Sequence, residues 1–180
     1  MVSASECSLN VVAYSNIKRR AAYNRVRPIA AVGVTSRFMY NNEEYHLLFL
    51  DVDGGVNHLE NVLLYLNGKC KALTVAKTMK GYHVICFNYF TWSECIRHWK
   101  RLKSTIDSKW INLQVKLKKA NYRSGAILRT GGKYGVRDIK LMMAVVYDSD
   151  PCMSKLLTQY LLMVQRRAGK TVKRGCCDGS

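Results

Sequence analysis

The hydrophobic and polar positions of this chain follow two periods, one of two residues and one of about 3.6 residues. Residues 56–66 have the helical spacing and end at Asn67-Gly68, a helix-stop signal. A second helix follows Thr91-Trp92-Ser93-Glu94, which has the form of a capping box. Strands are predicted at 28–34, 46–53, 71–77, 82–88, 126–130 and 139–147, and a last helix begins at Pro151 after the capping residue Asp150.

This order of elements predicts an α+β fold. From residue 46 it is β-α-β-β-α-β with an added C-terminal helix, the order of a ferredoxin-like or RNA-recognition-motif-like (RRM-like) sheet. We expect helices on one face of that sheet and a free opposite face. The predicted organisation is a basic N-terminal arm over 1–27, a single domain over 28–168 and a flexible basic tail over 169–180.

The composition of the chain bears on its domain size, its metal sites and its cellular location. The chain has 180 residues, of which 48% are hydrophobic, enough for one domain with a substantial core. No apolar run approaches the roughly 20 residues of a membrane-spanning helix, so no membrane partner is expected. The seven cysteines are odd in number and include no Cys-x-x-Cys pair, which argues against a zinc site. We expect an intracellular, reducing location in the cytoplasm or nucleoid, with Cys86 and Cys95 as small core residues.

The charge balance favours a polyanionic partner. Basic residues number 29 against 12 acids, giving a net charge of +17, and such a field attracts nucleic acid. An anionic membrane surface is the weaker alternative, because no basic amphipathic helix stands out. The candidate nucleic-acid-binding residues come from a stretch that is poor in acids. They are Arg97, Lys100, Arg101, Lys103, Lys116, Lys118, Lys119 and Arg123.

The apolar run 47–50 ends in two carboxylates, Asp51 and Asp53, followed by Gly54-Gly55. Side chains alternate across a strand, so both carboxylates lie on one face, with Cα atoms roughly 6.5–7 Å apart. Two such charges repel unless a cation lies between them, and carboxylate oxygens suit Mg²⁺ or Mn²⁺. A metal site in a basic protein indicates chemistry on a phosphate polymer. The simpler alternative is a turn, which Asp and Gly favour.

A second group of candidate residues surrounds the bend between two predicted strands. Lys77, Lys80 and Gly81 can present ammonium and backbone groups to phosphates. His83 follows on the outgoing strand and belongs to the same site if it shares the face of the aspartates. The alternative for His83 is a structural, partly buried histidine.

A third group follows the predicted strand 126–130. That strand delivers Arg129, Gly131-Gly132 allow the backbone to approach a ligand closely, and Lys133 comes next. The arrangement suits a triphosphate or a nucleic-acid backbone. It equally suits an ordinary hairpin turn.

In this order the three groups resemble the motifs of the archaeo-eukaryotic primase superfamily, which includes the primase-polymerases of plasmids and viruses. The apolar strand ending in Asp51 and Asp53 looks like the first motif, and Gly81-Tyr82-His83 has the small-x-His form of the second. Ile127-Leu128-Arg129 with the glycines after it looks like the end of the third. The resemblance covers residues from about 45 to 147.

The resemblance implies a primase-like palm and metal-dependent nucleotidyl transfer in DNA replication. Asp51 and Asp53 would be catalytic and hold Mg²⁺ or Mn²⁺, and His83 would contact the triphosphate. Members of the family use three acids, however, and the third is not found. Asn121-Tyr122-Arg123 stand where it is expected, and neither Asp107 nor Asp138 fits the spacing.

Two functions therefore stay open, and a third ranks last. The first is a primase- or polymerase-like enzyme, and the second is a catalytically inactive relative that binds DNA or RNA as an accessory subunit. The third is an RNA binder on an RRM-like sheet, but Tyr82 and Phe87 do not form the expected aromatic pattern. The expected partners are DNA or RNA, nucleoside triphosphates and other replication proteins.

Overall fold

The computed structural model of the chain describes residues 7–15, 30–119, 125–130 and 139–169. Within these ranges the chain forms eight strands and four helices. The strands are β1 (Val11–Ser15), β2 (Ala30–Thr35), β3 (Arg37–Tyr40), β4 (Glu43–Asp53), β5 (Ala72–Lys77), β6 (Gly81–Phe90), β7 (Ile127–Arg129) and β8 (Lys140–Val146). The helices are α1 (Val56–Leu66), α2 (Trp92–Arg101), α3 (Ser108–Lys119) and α4 (Pro151–Gly169).

The larger sheet is antiparallel and has the strand order β3-β4-β6-β5-β8. Strand β6 lies between β4 and β5 and is antiparallel to both, so β4 and β5 run parallel to each other with α1 connecting them. The centre of β4 is fully buried from Leu47 to Leu50. Continuous apolar sequence is what a strand covered on both faces requires.

The α+β class is confirmed by these elements, whereas the RRM-like arrangement stays a prediction. Two further strands, β3 and β8, extend the central three strands β4-β6-β5 on either side. Strand β3 forms a hairpin with β4 and occupies that edge, while β8 pairs with β5 at the opposite edge.

A second, three-stranded sheet with the order β1-β2-β7 joins the first at Ser36. The Ser36 backbone N–H donates to the Ala126 carbonyl at 2.8 Å, and its carbonyl accepts from the Leu47 N–H at 2.8 Å. Its hydroxyl accepts from the Ala126 N–H at 3.0 Å and lies 3.1 Å from Nδ1 of His46. This buried corner fixes where β7, and therefore Arg129, lies relative to β4.

The sheet face that was expected to be free is covered around His83. The His83 ring shares that face with Thr74 and Ala76, its neighbours on β5. Exposure is 2% for His83 and 0% for both Thr74 and Ala76. The candidate site is consequently a cleft at the end of β4 and not an open sheet surface.

The helices that carry clear end signals lie where the sequence predicts them. Helix α1 spans the predicted 56–66, and α2 begins with the predicted capping box, in which Thr91 Oγ1 accepts from the Glu94 N–H at 3.3 Å. Helix α4 starts at Pro151, capped by Asp150 Oδ1, which accepts from the Met153 N–H at 2.9 Å. Local capping chemistry defines the starts of α2 and α4, whereas α1 starts after Gly55 without a side-chain cap and carries its sequence signal at its end.

Three elements were not predicted, namely β1, β3 and α3. Strand β1 lies within 1–27, the segment predicted as an arm, and pairs with β2 from Val11 to Ser15. Helix α3 lies within the basic stretch and starts after Asp107, whose Oδ1 accepts from the Lys109 N–H at 2.8 Å. The tail predicted over 169–180 lies outside the described residues from 170 onward.

Two disulfides join cysteines that the sequence analysis left unpaired. They are Cys7–Cys152 and Cys70–Cys86, while Cys95 is a buried free thiol. Cys86 and Cys95 are core residues, as predicted, but Cys86 is bonded rather than free. Among the helices described here, none has the length and apolar character needed to cross a membrane.

Gly81→Ala tests how closely β4 and β6 approach at the site. A Cβ at Gly81 would lie 1.9 Å from the Val52 carbonyl oxygen, so the two strands would have to separate. We expect a loss of about 1–3 kcal/mol or more in the free energy of unfolding, measured by urea denaturation. Gly55→Ala is the matched control, because no heavy atom lies within 4 Å of a Cβ there. Equal urea midpoints for the two variants would contradict the close packing.

Candidate functional site

Asp51 and Asp53 lie at the end of β4 and on one face of the sheet, as their spacing predicts. In the ladder with β6, Asp51 is directly opposite His83 and Asp53 is directly opposite Gly81. Residues paired in this way have side chains on the same face. The Asp51 side chain is 25% exposed, whereas Asp53 is exposed to solvent.

His83 supports Asp51 as a neutral ring. Its Nε2 lies 3.5 Å from Asp51 Oδ1, and its side chain is 2% exposed. Burial, with a smaller contribution from the positive charge of Arg129, lowers the pKa of His83 to about 3. The contact therefore joins a neutral imidazole to a carboxylate at neutral pH, and no ion pair forms there.

Asp51 carries a strongly perturbed carboxyl group. Burial raises its pKa to about 6, and the negative charges of Asp53 and Asp107 contribute to the increase. The Arg129 guanidinium acts in the opposite direction. The pKa of Asp51 is thus raised chiefly because its ionised form is removed from water, with a smaller contribution from the two neighbouring carboxylates.

Asp107 is a member of the site that the sequence analysis set aside because of its spacing. Strand β3 covers only the first part of β4, from Glu43 to His46, so the edge of β4 near Asp51 is open to other chain segments. At this open edge the Asp107 N–H donates a hydrogen bond to the Asp51 carbonyl at 2.8 Å. The signal that could have located Asp107 is its position as the N-cap of α3.

The side chains of the candidate site line a cleft of about 990 Å³. Of the predicted residues, Asp51, Asp53, His83, Lys80 and Arg129 line it. Residues that were not predicted line it as well, namely His58, Thr78, Met79, Ser104, Thr105, Ile106, Asp107, Ser108 and Lys109. The cleft therefore combines carboxylates with three basic side chains.

Other predicted phosphate-binding residues have different places. Lys77 does not line the cleft, and its Nζ lies 4.1 Å from the ring centroid of Tyr82. Gly81 allows β6 to pass close to Val52, so its role in the structure is packing. Lys133 lies outside the described residues.

His58 at the start of α1 was missed because nothing in its sequence neighbourhood marks it. Its Nδ1 donates to the Asp53 carbonyl at 2.7 Å. Gly54 has a φ of +114°, and a Cβ there would lie 2.7 Å from Nδ1 of His58. Glycine at this position is therefore required both by the backbone conformation and by the space that His58 fills.

The candidate nucleic-acid-binding residues fall mainly on α2 and α3. Exposed side chains among them are Arg97, Lys100, Arg101, Lys103, Lys116 and Lys119. Lys118 differs, because its Nζ donates to Glu44 Oε1 at 3.0 Å and lies 5.4 Å from the Trp92 ring centroid. Arg123 lies outside the described residues.

Within the described part of the chain, no group of three or more His, Cys, Asp or Glu side chains is arranged to hold a metal ion. Asp107 influences Asp51 through its negative charge and its backbone hydrogen bond. Comparison of the chain with protein-family models, curated proteins and solved structures finds no match. The primase resemblance consequently depends on the motif residues and on their geometry.

Asp51→Asn tests the cost of burying the ionised Asp51 carboxylate through its effect on stability. The ordinary pKa of 3.8 applies to the unfolded chain and about 6 to the folded one, so ionised Asp51 disfavours folding above pH 6. We expect D51N to be about 1–3 kcal/mol more stable than wild type at pH 7–8, with the difference declining between pH 6 and pH 4. Unfolding by denaturant at each pH measures it.

Glu60→Gln is the control for Asp51→Asn, because it removes one carboxylate from an exposed position on α1. It changes the net charge equally but lies outside the cleft. A pH-independent difference for D51N, or an equal difference for E60Q, would contradict a perturbed Asp51.

Proposed function

We propose that the protein is a nucleic-acid-binding, primase/polymerase-like nucleotidyltransferase that acts in DNA replication and uses Mg²⁺ or Mn²⁺. The observation that carries this proposal is the pairing of Asp51 and Asp53 on one face, opposite His83, in a cleft with basic side chains. The order β4-β6-β5, with α1 between the parallel strands, supports an RRM-like palm. Fold alone does not determine function, so the argument depends on the site.

The donor set fits a hard divalent cation held by Asp51 and Asp53. Carboxylate oxygens are the ligands that Mg²⁺ and Mn²⁺ prefer. Burial, together with the negative charges of Asp53 and Asp107, raises the pKa of Asp51, and a bound cation would favour its ionised form. When bound, such an ion would supply Lewis-acid stabilisation of charge on the transferring phosphoryl group.

The basic side chains of the cleft would bind the phosphates of the nucleotide. Lys80, Lys109 and Arg129 line the same cleft as the aspartates and would neutralise the nucleotide's phosphates. His83 is too buried for extensive contact with a substrate. It would instead hold Asp51 in position through the contact at 3.5 Å.

Single-stranded or duplex nucleic acid would lie along the exposed basic residues of α2 and α3. These helices follow each other in the chain, and the loop between them, 102–107, contributes Asp107 to the cleft. Phosphate contacts from lysine and arginine position a strand without reading its sequence. A template bound there would therefore be close to the catalytic face.

A second candidate function is a catalytically inactive accessory subunit that keeps the fold and binds nucleic acid. Its specific support is that only Asp51 and Asp53 of the described acids project from the end of β4, with no three-ligand group in the described residues. The Arg129 guanidinium already offsets part of the charge of Asp51. Activity measurements separate the two functions.

The double variant Asp51→Ala/Asp53→Ala tests catalysis. Wild type should extend a primer or form dinucleotides with Mg²⁺ or Mn²⁺, and the variant should lose about 10²-fold or more, because the metal ligands and their charge are removed. Product is measured on gels with labelled nucleotides. Glu60→Ala/Glu43→Ala, which removes two exposed carboxylates elsewhere, should retain activity.

Two other results would change the conclusion. Incorporation that survives in the Asp51→Ala/Asp53→Ala variant would mean that the cleft is not the active site. Absence of incorporation by wild type, with nucleic-acid binding intact, would select the accessory subunit.

Single variants Lys100→Gln and Lys116→Gln test the nucleic-acid surface. Each removes one exposed charge from α2 or α3, so affinity should fall for every sequence tested, and the slope of log K against log salt should decrease by about 1. Fluorescence anisotropy at several salt concentrations measures both quantities. The control is Lys155→Gln on α4, which should leave the slope unchanged. Equal effects from all three variants would indicate only general charge attraction.

A further inference from the structure

The four cysteines of the two disulfides differ in how far a reagent can reach them. Cys7 and Cys152 are 0% and 4% exposed, and Cys86 is 0% exposed. Cys70, the partner of Cys86, is only partly buried and lines a cleft of about 460 Å³ beside α1. A thiol that opens a disulfide must reach one of its two sulfurs. Among these four cysteines, Cys70 is the one that a thiol from solvent can attack.

The cleft at Cys70 is an apolar approach to the disulfide. Residues of α1, β5 and β8 line it, and most of them are apolar, namely Leu63, Leu64, Leu66, Leu73 and Met143. In the part of the chain that the structure describes, Glu60 is the single charged residue of this lining, so an anionic molecule is disfavoured. A small thiol with an apolar, uncharged body gains free energy by burying that body in the cleft, with its sulfur next to Cys70.

The Cys70–Cys86 disulfide is not the only link that holds the Cys70 segment on β6. The next residue, Lys71, donates its N–H to the Phe87 carbonyl at 2.9 Å. The preceding residue, Lys69, has a carbonyl that accepts from Asn88 Nδ2 at 2.8 Å. These hydrogen bonds to β6 on both sides of Cys70 keep the backbone in place when the S–S bond opens. Exchange at Cys70 is therefore compatible with the folded chain.

Cys86 has a partner for the thiol that exchange at Cys70 would leave behind. Its Sγ lies 3.6 Å from the Lys69 carbonyl oxygen, to which an S–H group can donate. A buried polar group with a hydrogen-bond partner destabilises the fold less than one without a partner. The thiol form of Cys86 is thus accommodated without exposing the core.

We propose that Cys70 is a thiol-exchange site for a small thiol whose body is apolar and uncharged. The thiolate of that molecule attacks Cys70 Sγ, a new S–S bond forms between the two sulfurs, and the bond from Cys70 to Cys86 breaks. The electron pair of the broken bond leaves with Cys86 Sγ, which takes a proton from water. No separate oxidant or reductant is needed, because one disulfide replaces another. This proposal is independent of the proposed catalytic function.

Brief incubation of the wild-type protein with benzyl mercaptan, followed by acid quenching and peptide mass spectrometry, tests the site. We expect an adduct on Cys70, a free thiol on Cys86 and an intact Cys7–Cys152 disulfide. The comparison probe is β-mercaptoethanol, which is also uncharged but polar. When each rate is divided by the rate of the same thiol with a short unfolded disulfide peptide, benzyl mercaptan should open the bond about tenfold faster.

Two pairs of variants separate access to the sulfur from binding in the cleft. C86S leaves Cys70 as a free thiol at the cleft, and C70S leaves Cys86 as a buried one, so the thiol of folded C86S should react with dithionitrobenzoate about 10²-fold faster, and the two should react equally in urea. L64Q removes apolar lining and should abolish the advantage of benzyl mercaptan. L113Q on α3 is its matched control, since Leu113 is 52% exposed and lies outside the cleft.

The proposal is overturned if the adduct forms on Cys86, Cys7 or Cys152, or if folded C70S and C86S react at equal rates. It is also overturned if benzyl mercaptan has no advantage over β-mercaptoethanol, or if L64Q and L113Q lose that advantage equally. An advantage kept in L113Q and lost in L64Q, with the adduct on Cys70, supports it.

Discussion

The negative charge of Asp51, placed where a buried strand reaches solvent, is the constraint on which the site depends. Burial of Leu47–Leu50 anchors β4 in the centre of the sheet and leaves Asp51 mostly enclosed. Its neighbours respond to that charge in different ways. His83 contacts it as a neutral ring, Arg129 offsets part of it, and Asp107 adds a further negative charge nearby. Ionised Asp51 therefore carries a desolvation cost that the positive charge of Arg129 offsets only in part.

The groups that surround Asp51 come from parts of the chain that are distant in sequence. Arg129 belongs to the smaller sheet, which is fixed to β4 through the Ser36 corner, and Asp107 comes from the loop between α2 and α3. Trp99 adds to the arrangement by donating from Nε1 to the Phe49 carbonyl at 2.8 Å, which holds α2 against β4. The electrostatics of the site is thus a property of the packing between two sheets and two helices.

The features that could be predicted from the sequence are those that local interactions determine. The shared face of Asp51 and Asp53, the hairpin β5-β6 and the capped starts of α2 and α4 depend on residues close in sequence or on strand alternation. His58 and the pairing of Cys7 with Cys152 depend on tertiary contacts, for which the local pattern has no signal. Asp107 was missed together with α3, of which it is the N-cap residue. Helix α3 was missed because its many lysines were interpreted only as a charged surface. The β3 hairpin was missed because two residues of positive φ, Asn41 and Asn42, form its turn without glycine.

The Cys7–Cys152 disulfide spans 145 residues of chain and connects the segment before β1 to α4. Both sheets and the first three helices lie within the covalent ring that it closes. A loop longer than about 100 residues restricts the denatured chain by roughly 5 kcal/mol in the chain-entropy model. The denatured state is then a cyclic polymer, more compact than a linear one of equal length. Resistance to denaturation in this protein consequently varies with the thiol–disulfide poise of its surroundings, even though neither sulfur belongs to the cleft.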